Sequence, residues 1–318
     1  MLVFVLNAGS SSLKYQLINA QTSELKASGL VERIGIDGIL KHEIGENKKL
    51  TFELSIPTHK EAIELVLRIL TNNETKVIDS IKEIEAIGHR IVHGGEFFKE
   101  STIITKDVIE KIEQLIPLAP LHNPANILGI KICQELMLKV PNVAVFDTAF
   151  HQTMPIENYL YAVPYSDYTE HHLRKYGFHG TSHYYVSNEA VKILNKKDSK
   201  IIVCHLGNGS SVCAVRDGKS ISTSMGLTPL EGLIMGTRCG DIDAGVIPYL
   251  MEKKGLNSNQ ILDYLNKKSG ILGVSGISSD LREVIKASKD GDKRSFITIE
   301  MLCNRIKKYL CSYAGLMG

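Results

Sequence analysis

Apolar and polar positions alternate with different periods along this chain, and the changes of period mark its elements. Val3-Phe-Val-Leu6 and Leu13 to Ile18 flank the small polar run Asn7-Ala-Gly-Ser-Ser-Ser12, which predicts the two strands and turn of a hairpin. A polar, strand-like stretch continues to about Pro57. Thr58-His-Lys-Glu61 then reads as a capping box, and Ile63, Val66, Leu67 and Leu70 follow at helical spacing, so a helix is expected there. Glu85 to Val92 reads as a buried strand running into Gly94-Gly95. From Thr105 to Ile116 the apolar residues Val108, Ile109, Ile112, Leu115 and Ile116 gather on one side of an amphipathic helix. Asn123-Pro124 predicts a further helix with Asn as its cap and Pro at its first position. Val143-Ala-Val-Phe-Asp147 is a short apolar strand ending on a carboxylate.

A domain boundary is placed just after that strand, giving domains 1–148 and 149–318. The second begins with a Tyr-rich segment, expected to be irregular, up to Tyr176. Gly177-Phe-His179-Gly-Thr181-Ser182-His183 leads into a helix that Thr181 or Ser182 could cap. His179 would then lie near a helix N-terminus, where anions are favoured. Ile201 to Val215 is strand, small polar turn with Ser210-Ser211, and strand. This echo of the first hairpin predicts two similar halves. Asp217-Gly218 reads as a hairpin turn. The glycine-rich stretch from Thr228 to Gly245 argues against regular structure. A helix near Ser258–Lys268, a Gly/Ser loop from Gly270 to Ser279 and a long helix from about Lys293 complete the pattern. Strands and helices alternate, so the class is α/β.

Composition narrows the partners. The 318 residues are 43% hydrophobic and 23% charged with a net charge of +2, so neither a nucleic-acid nor a membrane surface is expected. No apolar run reaches the roughly 18 residues of a membrane span. Met1 to Leu6 has no basic segment before it and reads as a strand. The six cysteines show no C-x-x-C spacing, and four sit among apolar neighbours. They are expected as core thiols of a cytoplasmic protein.

The chemistry lies in what is polar and convergent. Both hairpin turns are too small and polar to pack, and they offer backbone N–H groups and hydroxyls, with Asn7 and Lys14 beside the first. These are the parts of a phosphate cradle. Arg90 and Arg238 stand in glycine-rich settings, His179 near a helix start, and Asp147 at a strand end, where ligands of open α/β sheets gather. There is no G-x-S-x-G elbow, no H-E-x-x-H, and Gly207-Asn-Gly209 lacks the third glycine of a dinucleotide fingerprint. Phosphoryl transfer needs donors aimed at spreading negative charge and little covalent help. With one arginine for the moving group and another for the acceptor, the acceptor is expected to be an anion.

Asn7-Ala-Gly-Ser-Ser-Ser-Leu-Lys14, Gly88-His-Arg90-Ile-Val-His-Gly-Gly95, Phe146-Asp147-Thr-Ala-Phe-His151, Tyr176-Gly-Phe178-His179-Gly-Thr-Ser-His183, His205-Leu-Gly-Asn-Gly209 and Gly236-Thr-Arg238-Cys-Gly-Asp-Ile-Asp243 together resemble the acetate kinase family. The resemblance spans the whole chain. It implies two duplicated ribonuclease H-like domains of the actin-like ATPase type, facing a central cleft. The first would bind acetate and phosphate and the second the nucleotide. It also implies roles: Asn7 on Mg2+ (or Mn2+ in its place), and Ser10, Ser12 and Lys14 near the nucleotide phosphates. Arg90 would bind the acetate carboxylate, with His122 in the same site and Val92, Leu121, Phe178 and Pro229 around the methyl group. His179 and Arg238 would stabilise the transferring phosphoryl group. His205, Leu206, Gly207, Asn208 and Gly209, with Asp280, Leu281 and Arg282, would contact ATP. Asp147 corresponds to the family's catalytic acid/base. Acetate is already ionised at neutral pH and needs no base, so Asp147 is expected instead to orient an arginine or the metal's water shell.

The implied reaction is reversible, Mg2+-dependent transfer from ATP to acetate by direct in-line displacement, in a homodimer. Propionate or butyrate kinase is the neighbouring alternative, because one methylene changes binding in an apolar pocket by only about 1–3 kcal/mol. The sequence ends at Gly318, where members of the family continue into a further strand and an adenosine loop. The second domain is therefore expected to be incomplete, which leaves a non-catalytic, nucleotide-binding remnant as the other alternative.

Overall fold

The computed structural model describes residues 1–45, 48–196 and 198–318, in two compact units, Met1–Ala149 and Phe150–Gly318. In the first unit, β1 (Leu2–Ala8), β2 (Ser12–Asn19), β3 (Glu24–Glu32), β4 (Ile39–Ile44) and β5 (Lys48–Glu53) form an antiparallel meander. Helix α1 (His59–Thr71) then carries the chain back to β6 (Ile84–Ile91), which pairs parallel with β1. The strand β7 (Thr102–Ile103) and the helices α2 (Lys106–Gln114) and α3 (Asn123–Leu136) lead to β8 (Asn142–Phe146), parallel to β6. The eight strands lie in the order β5-β4-β3-β2-β1-β6-β8-β7. A return to a parallel neighbour needs a helical crossover, and α1 and α3 supply them.

The period-two pattern decides which face is core. Phe4, Leu6 and Ala8 of β1 and Leu13, Tyr15 and Leu17 of β2 are buried and meet Ala62, Ile63, Val66 and Leu70 of α1 in one cluster. Each such side chain contributes about 1.5–3 kcal/mol when fully buried. The opposite face keeps its polar groups open. Asn7 pairs with Lys14, and Leu6 pairs with His89 one step before Arg90. Lys14, Asn7 and Arg90 therefore follow one another across β2, β1 and β6 on the face away from the core.

In the second unit, α4 (Ile156–Tyr159) and α5 (Tyr165–His171) precede α6 (Gly180–Leu194). The strands β9 (Lys200–Leu206), β10 (Ser210–Arg216) and β11 (Lys219–Thr223) make an antiparallel sheet in the order β11-β10-β9. Asp217 and Gly218 both have positive φ in the turn between β10 and β11, as a tight hairpin of this hand requires. No strand or helix occurs from residue 224 to 245, as its glycines predict. Helices α7 (Val246–Lys254), α8 (Ser258–Lys267), α9 (Gly270–Ser275), α10 (Leu281–Lys289) and α11 (Lys293–Met317) follow. The long α11 packs Tyr313 and Met317 on Val212 and Ala214 of β10, and Leu302 on Val284 of α10.

Five expectations are corrected. The Tyr-rich segment contains α4 and α5, held in part by the Arg174 guanidinium 3.6 Å from the Tyr159 ring centre. The Gly270–Ser279 loop contains α9. Asn123 does not cap α3: His122 is the cap residue, and the Asn123 amide turns inward onto the backbone of His93. Neither Thr181 nor Ser182 caps α6. His179 itself ends the loop in the left-handed conformation, φ +58°, and the Ser182 hydroxyl is engaged by His205. Only Cys133 and Cys213 are buried, while Cys204 and Cys311 are exposed, because their strand and helix turn these positions outward.

Candidate active site

The first unit holds Arg90, one of the two arginines singled out in the sequence. Arg90 Nε donates to Asp147 Oδ1 at 3.0 Å, and Nη2 donates to Oδ2 at 2.7 Å. Asp147 lies just past the end of β8, and the parallel register that sets Ile91 beside Phe146 brings it to Arg90. The carboxylate is 2% exposed, and its charge raises the Arg90 pKa further above the ordinary guanidinium value. A planar fork gripped along one edge is fixed in orientation.

The loop after β6 is positioned from below. Asn126 of α3 accepts from Val92 N–H at 3.1 Å and donates to the Ala8 carbonyl at 2.9 Å, tying the ends of β6 and β1 together. Asn123 does the same for both backbone groups of His93. Thr148 Oγ1 accepts from Gly94 N–H at 3.0 Å. A Cβ at Gly94 would lie 2.8 Å from the Phe146 ring, so only glycine allows this approach. Val92 is buried and Leu121 is exposed. In the first turn, Gly9 N–H donates to Ser12 O at 2.8 Å, and His59 Nε2 donates to Gly9 O at 2.7 Å. Ser10 and Lys14 face solvent. A cavity of about 450 Å³ borders Asn7 and Lys14 and extends over β2, β3 and β4 to Lys41 and Glu43, away from Arg90.

The second unit gathers its own polar set. The His179 and His205 rings stack at 4.0 Å. Arg238 Nη1 donates to the Pro229 carbonyl at 3.1 Å. A Cβ at Gly209 would lie 3.5 Å from Arg238 Nη1 and 3.7 Å from His179 Nε2, so the tip of the β9–β10 hairpin, the arginine and the histidine border one spot. Gly236 N–H donates to the Asn208 carbonyl, and a Cβ at Gly236 would collide with the Asn208 side chain. The same glycine lies against the Ser279 carbonyl, next to Asp280, which caps α10 by accepting from Arg282 N–H at 2.9 Å. Leu206 and the Arg282 side chain are exposed and Phe178 is buried. His205, Leu206, Gly207, Asn208, Gly209, Arg238 and the start of α10 thus belong to one neighbourhood.

The sequence reading missed the holding contacts made by His59, Asn123, Asn126, His183 and Ser211, and it assigned Asn123 to a cap and Ser211 to a phosphate-binding turn. Only His183 carried a signal, its spacing of four from His179.

Among the described residues no group of three His, Cys, Asp or Glu could hold a metal ion. Asn7 offers one neutral oxygen. That suits Mg2+ arriving on a nucleotide, because this ion keeps several waters and binds substrate phosphates.

An arginine clamped by a buried carboxylate in the first unit, and an arginine and a histidine at a hairpin tip in the second, suit a phosphotransferase on an α/β fold. The profile of the Acetokinase family matches residues 2–318, and the chain belongs to that family. Acetate kinase of Halothermothrix orenii is 53% identical over 321 residues, covering 100% of this chain and 81% of that protein. Acetate kinase of Thermoanaerobacterium thermosaccharolyticum is 55% identical over 322 residues, with 100% and 80% covered. The crystal structure of Porphyromonas gingivalis acetate kinase superimposes with a TM-score of 0.95 at 48% identity, over 100% of this chain and 80% of that one. A propionate kinase from Francisella tularensis gives 0.93 at 46%, over 98% and 80%. The fold is therefore the duplicated actin-like ATPase fold of those enzymes, and the chain spans about four fifths of the relatives' length.

Proposed function

We propose that the chain transfers the γ-phosphoryl group of ATP to acetate, reversibly and with Mg2+, giving acetyl phosphate and ADP. The observation that carries this reading is Arg90, clamped along one edge by Asp147 on the open face of the sheet. That leaves the other edge of its fork for a small carboxylate. An acetate oxygen attacks the γ-phosphorus, the bond to the bridging β–γ oxygen breaks, and its electrons leave with ADP. No proton moves, so Asp147 serves as the counter-ion that aims Arg90. Arg238 and His179 donate to the equatorial oxygens as charge spreads over them. Lys14, Ser10 and Ser12 take phosphate oxygens, and the hairpin 205–209 with Asp280, Leu281 and Arg282 takes the nucleotide. Val92 and Leu121 meet the acetate methyl group, with His122 beside the carboxylate, and Phe178 and Pro229 are the methyl-contacting residues of the second unit. Mg2+, with Asn7 among its contacts, neutralises phosphate charge when bound.

The first unit is thus the acetate and phosphate domain and the second the nucleotide domain. Homodimeric assembly and a cytoplasmic setting go with this reading. The free thiols, two of them exposed, support a reducing compartment. No helix among the described residues is long and apolar enough to cross a membrane.

The test is ADP formation from ATP with acetate, propionate, butyrate or no acid, with and without EDTA. Acetate-dependent ADP formation that EDTA stops and excess Mg2+ restores supports the proposal. The same rate without any acid would overturn it. The likeness to a propionate kinase favours one specific second reading, which a higher kcat/KM for propionate would establish. Sedimentation equilibrium at twice the chain mass would support the dimer, and a single-chain mass would refute it.

A further inference from the structure

We propose that Ser211 and the buried His183 are positioning residues that hold His179 as the tautomer protonated at Nε2. His179 is the cap residue just before helix α6, and His183 lies in the first turn of that helix. Ser211 of β10 lies between them, its Oγ 2.9 Å from His179 Nδ1 and 2.7 Å from His183 Nε2. A hydroxyl has one proton. In a chain of two such contacts between neutral rings it donates in one and accepts in the other.

The direction is set by the buried end. His183 is fully buried, and burial, then the neighbouring His151, His179 and His205, push its pKa down to about 2. It carries a single ring proton. Its Nδ1 is buried with no hydrogen-bond partner among the described residues. A proton there would be an orphaned buried donor, which is costlier than an idle lone pair. The proton therefore sits on Nε2 and is donated to Ser211 Oγ. The Ser211 hydroxyl then donates to His179 Nδ1, which leaves the His179 proton on Nε2. His151 Nε2 donates to the Phe178 carbonyl at 3.0 Å, and His205 Nδ1 is 2.9 Å from Ser182 Oγ.

The consequence for the site is one of sign. His179 Nε2 borders the same spot as Arg238 Nη1, against Gly209. With its proton on Nε2 the ring adds a second donor there. With its proton on Nδ1 it would present a lone pair to anionic oxygens. This consequence rests on the reading that His179 meets the phosphoryl group, whereas the tautomer itself does not.

The experiment is a long-range 1H–15N correlation spectrum of the 15N-labelled chain above pH 7.5, with signals assigned by their loss in His179→Gln and His183→Gln. The expected result is an unprotonated Nδ1 and a protonated Nε2 in both rings. A proton on Nδ1 of either ring would overturn the proposal. In a second arm, His183→Gln keeps a donor at the Nε2 position and retains the His179 tautomer, whereas His183→Met, or Ser211→Ala if that variant does not fold, loses it. The apolar variant lowers kcat about tenfold with little change in the acetate KM, as losses of orienting partners do. A Met or Ala variant with the wild-type tautomer would refute the relay. The expected tautomer in a chain without acetate-dependent turnover would refute the function and leave the relay standing.

Discussion

Replacing Asp147 by Asn tests whether this carboxylate aims an arginine or moves a proton. The amide keeps one oxygen for Arg90 Nε, but presents an NH2 to Nη2 where the carboxylate accepted at 2.7 Å. One charge-assisted hydrogen bond is lost, a change of about 1.5–3 kcal/mol. The Arg90 side chain is 39% exposed, so water replaces part of the lost contact and the low end applies. About 1.5 kcal/mol is about tenfold. On the proposed reading, the loss falls on the orientation of a group that grips acetate before and during transfer. The acetate KM should therefore rise about tenfold, with kcat reduced less. The assay is initial-rate acetyl phosphate formation, trapped with hydroxylamine, over a range of acetate at saturating Mg-ATP. A general base would behave differently: its removal costs about 10²–10⁴ in rate. A thousandfold fall in kcat at unchanged acetate KM would refute the orienting role.

Arg238→Ala should lower kcat by about 10²–10³, as loss of a donor to developing charge does, with a smaller effect on the acetate KM. Arg90→Ala should chiefly raise that KM, and steady-state kinetics showing the two patterns exchanged would reverse the assignments. Asn126→Leu strips the Val92 N–H and the Ala8 carbonyl of their partner, each costing about 1–3 kcal/mol, and should lower the urea midpoint of the first unit; an unchanged midpoint would contradict the tie. Burial pushes the His89 pKa down from 6.5 to about 4, so the unfolded chain binds the extra proton between those values and stability rises with pH across that window. His89 contributes at most about 3 kcal/mol, fully present above pH 6.5 and lost as pH falls to about 4. His89→Gln should flatten that part of the pH–stability curve, and an unaltered slope would show that other groups set it.

Most elements were legible because their periods are clean: the first hairpin, α1, β6, α2, the echo at 201–215 and the Asp217-Gly218 turn all follow from local pattern. The caps were not. Asn123 has the composition of a cap, but the backbone of His93 competes for its amide, and that competitor is thirty residues away. His179 takes the left-handed conformation, which the preference for Ser and Thr at helix starts does not foresee. Asp147 could be read as a strand-end carboxylate, whereas its grip on Arg90 depends on the register of β6 against β8. Ser211 could be read as part of a polar turn. Its contacts with His179, the cap residue of α6, and His183, in the first turn of that helix, depend on tertiary packing that no spacing in the sequence records.

The most direct test of the account follows the oxygen atoms. The chain is incubated with Mg-ATP and acetate labelled with 18O in both carboxylate positions, and the acetyl phosphate is read by 31P NMR. Attack by the acetate oxygen on the γ-phosphorus predicts a phosphorus signal shifted by one bridging 18O, formed in step with ADP. Inorganic phosphate in place of acetyl phosphate, or acetyl phosphate without the bridging label, would contradict the account.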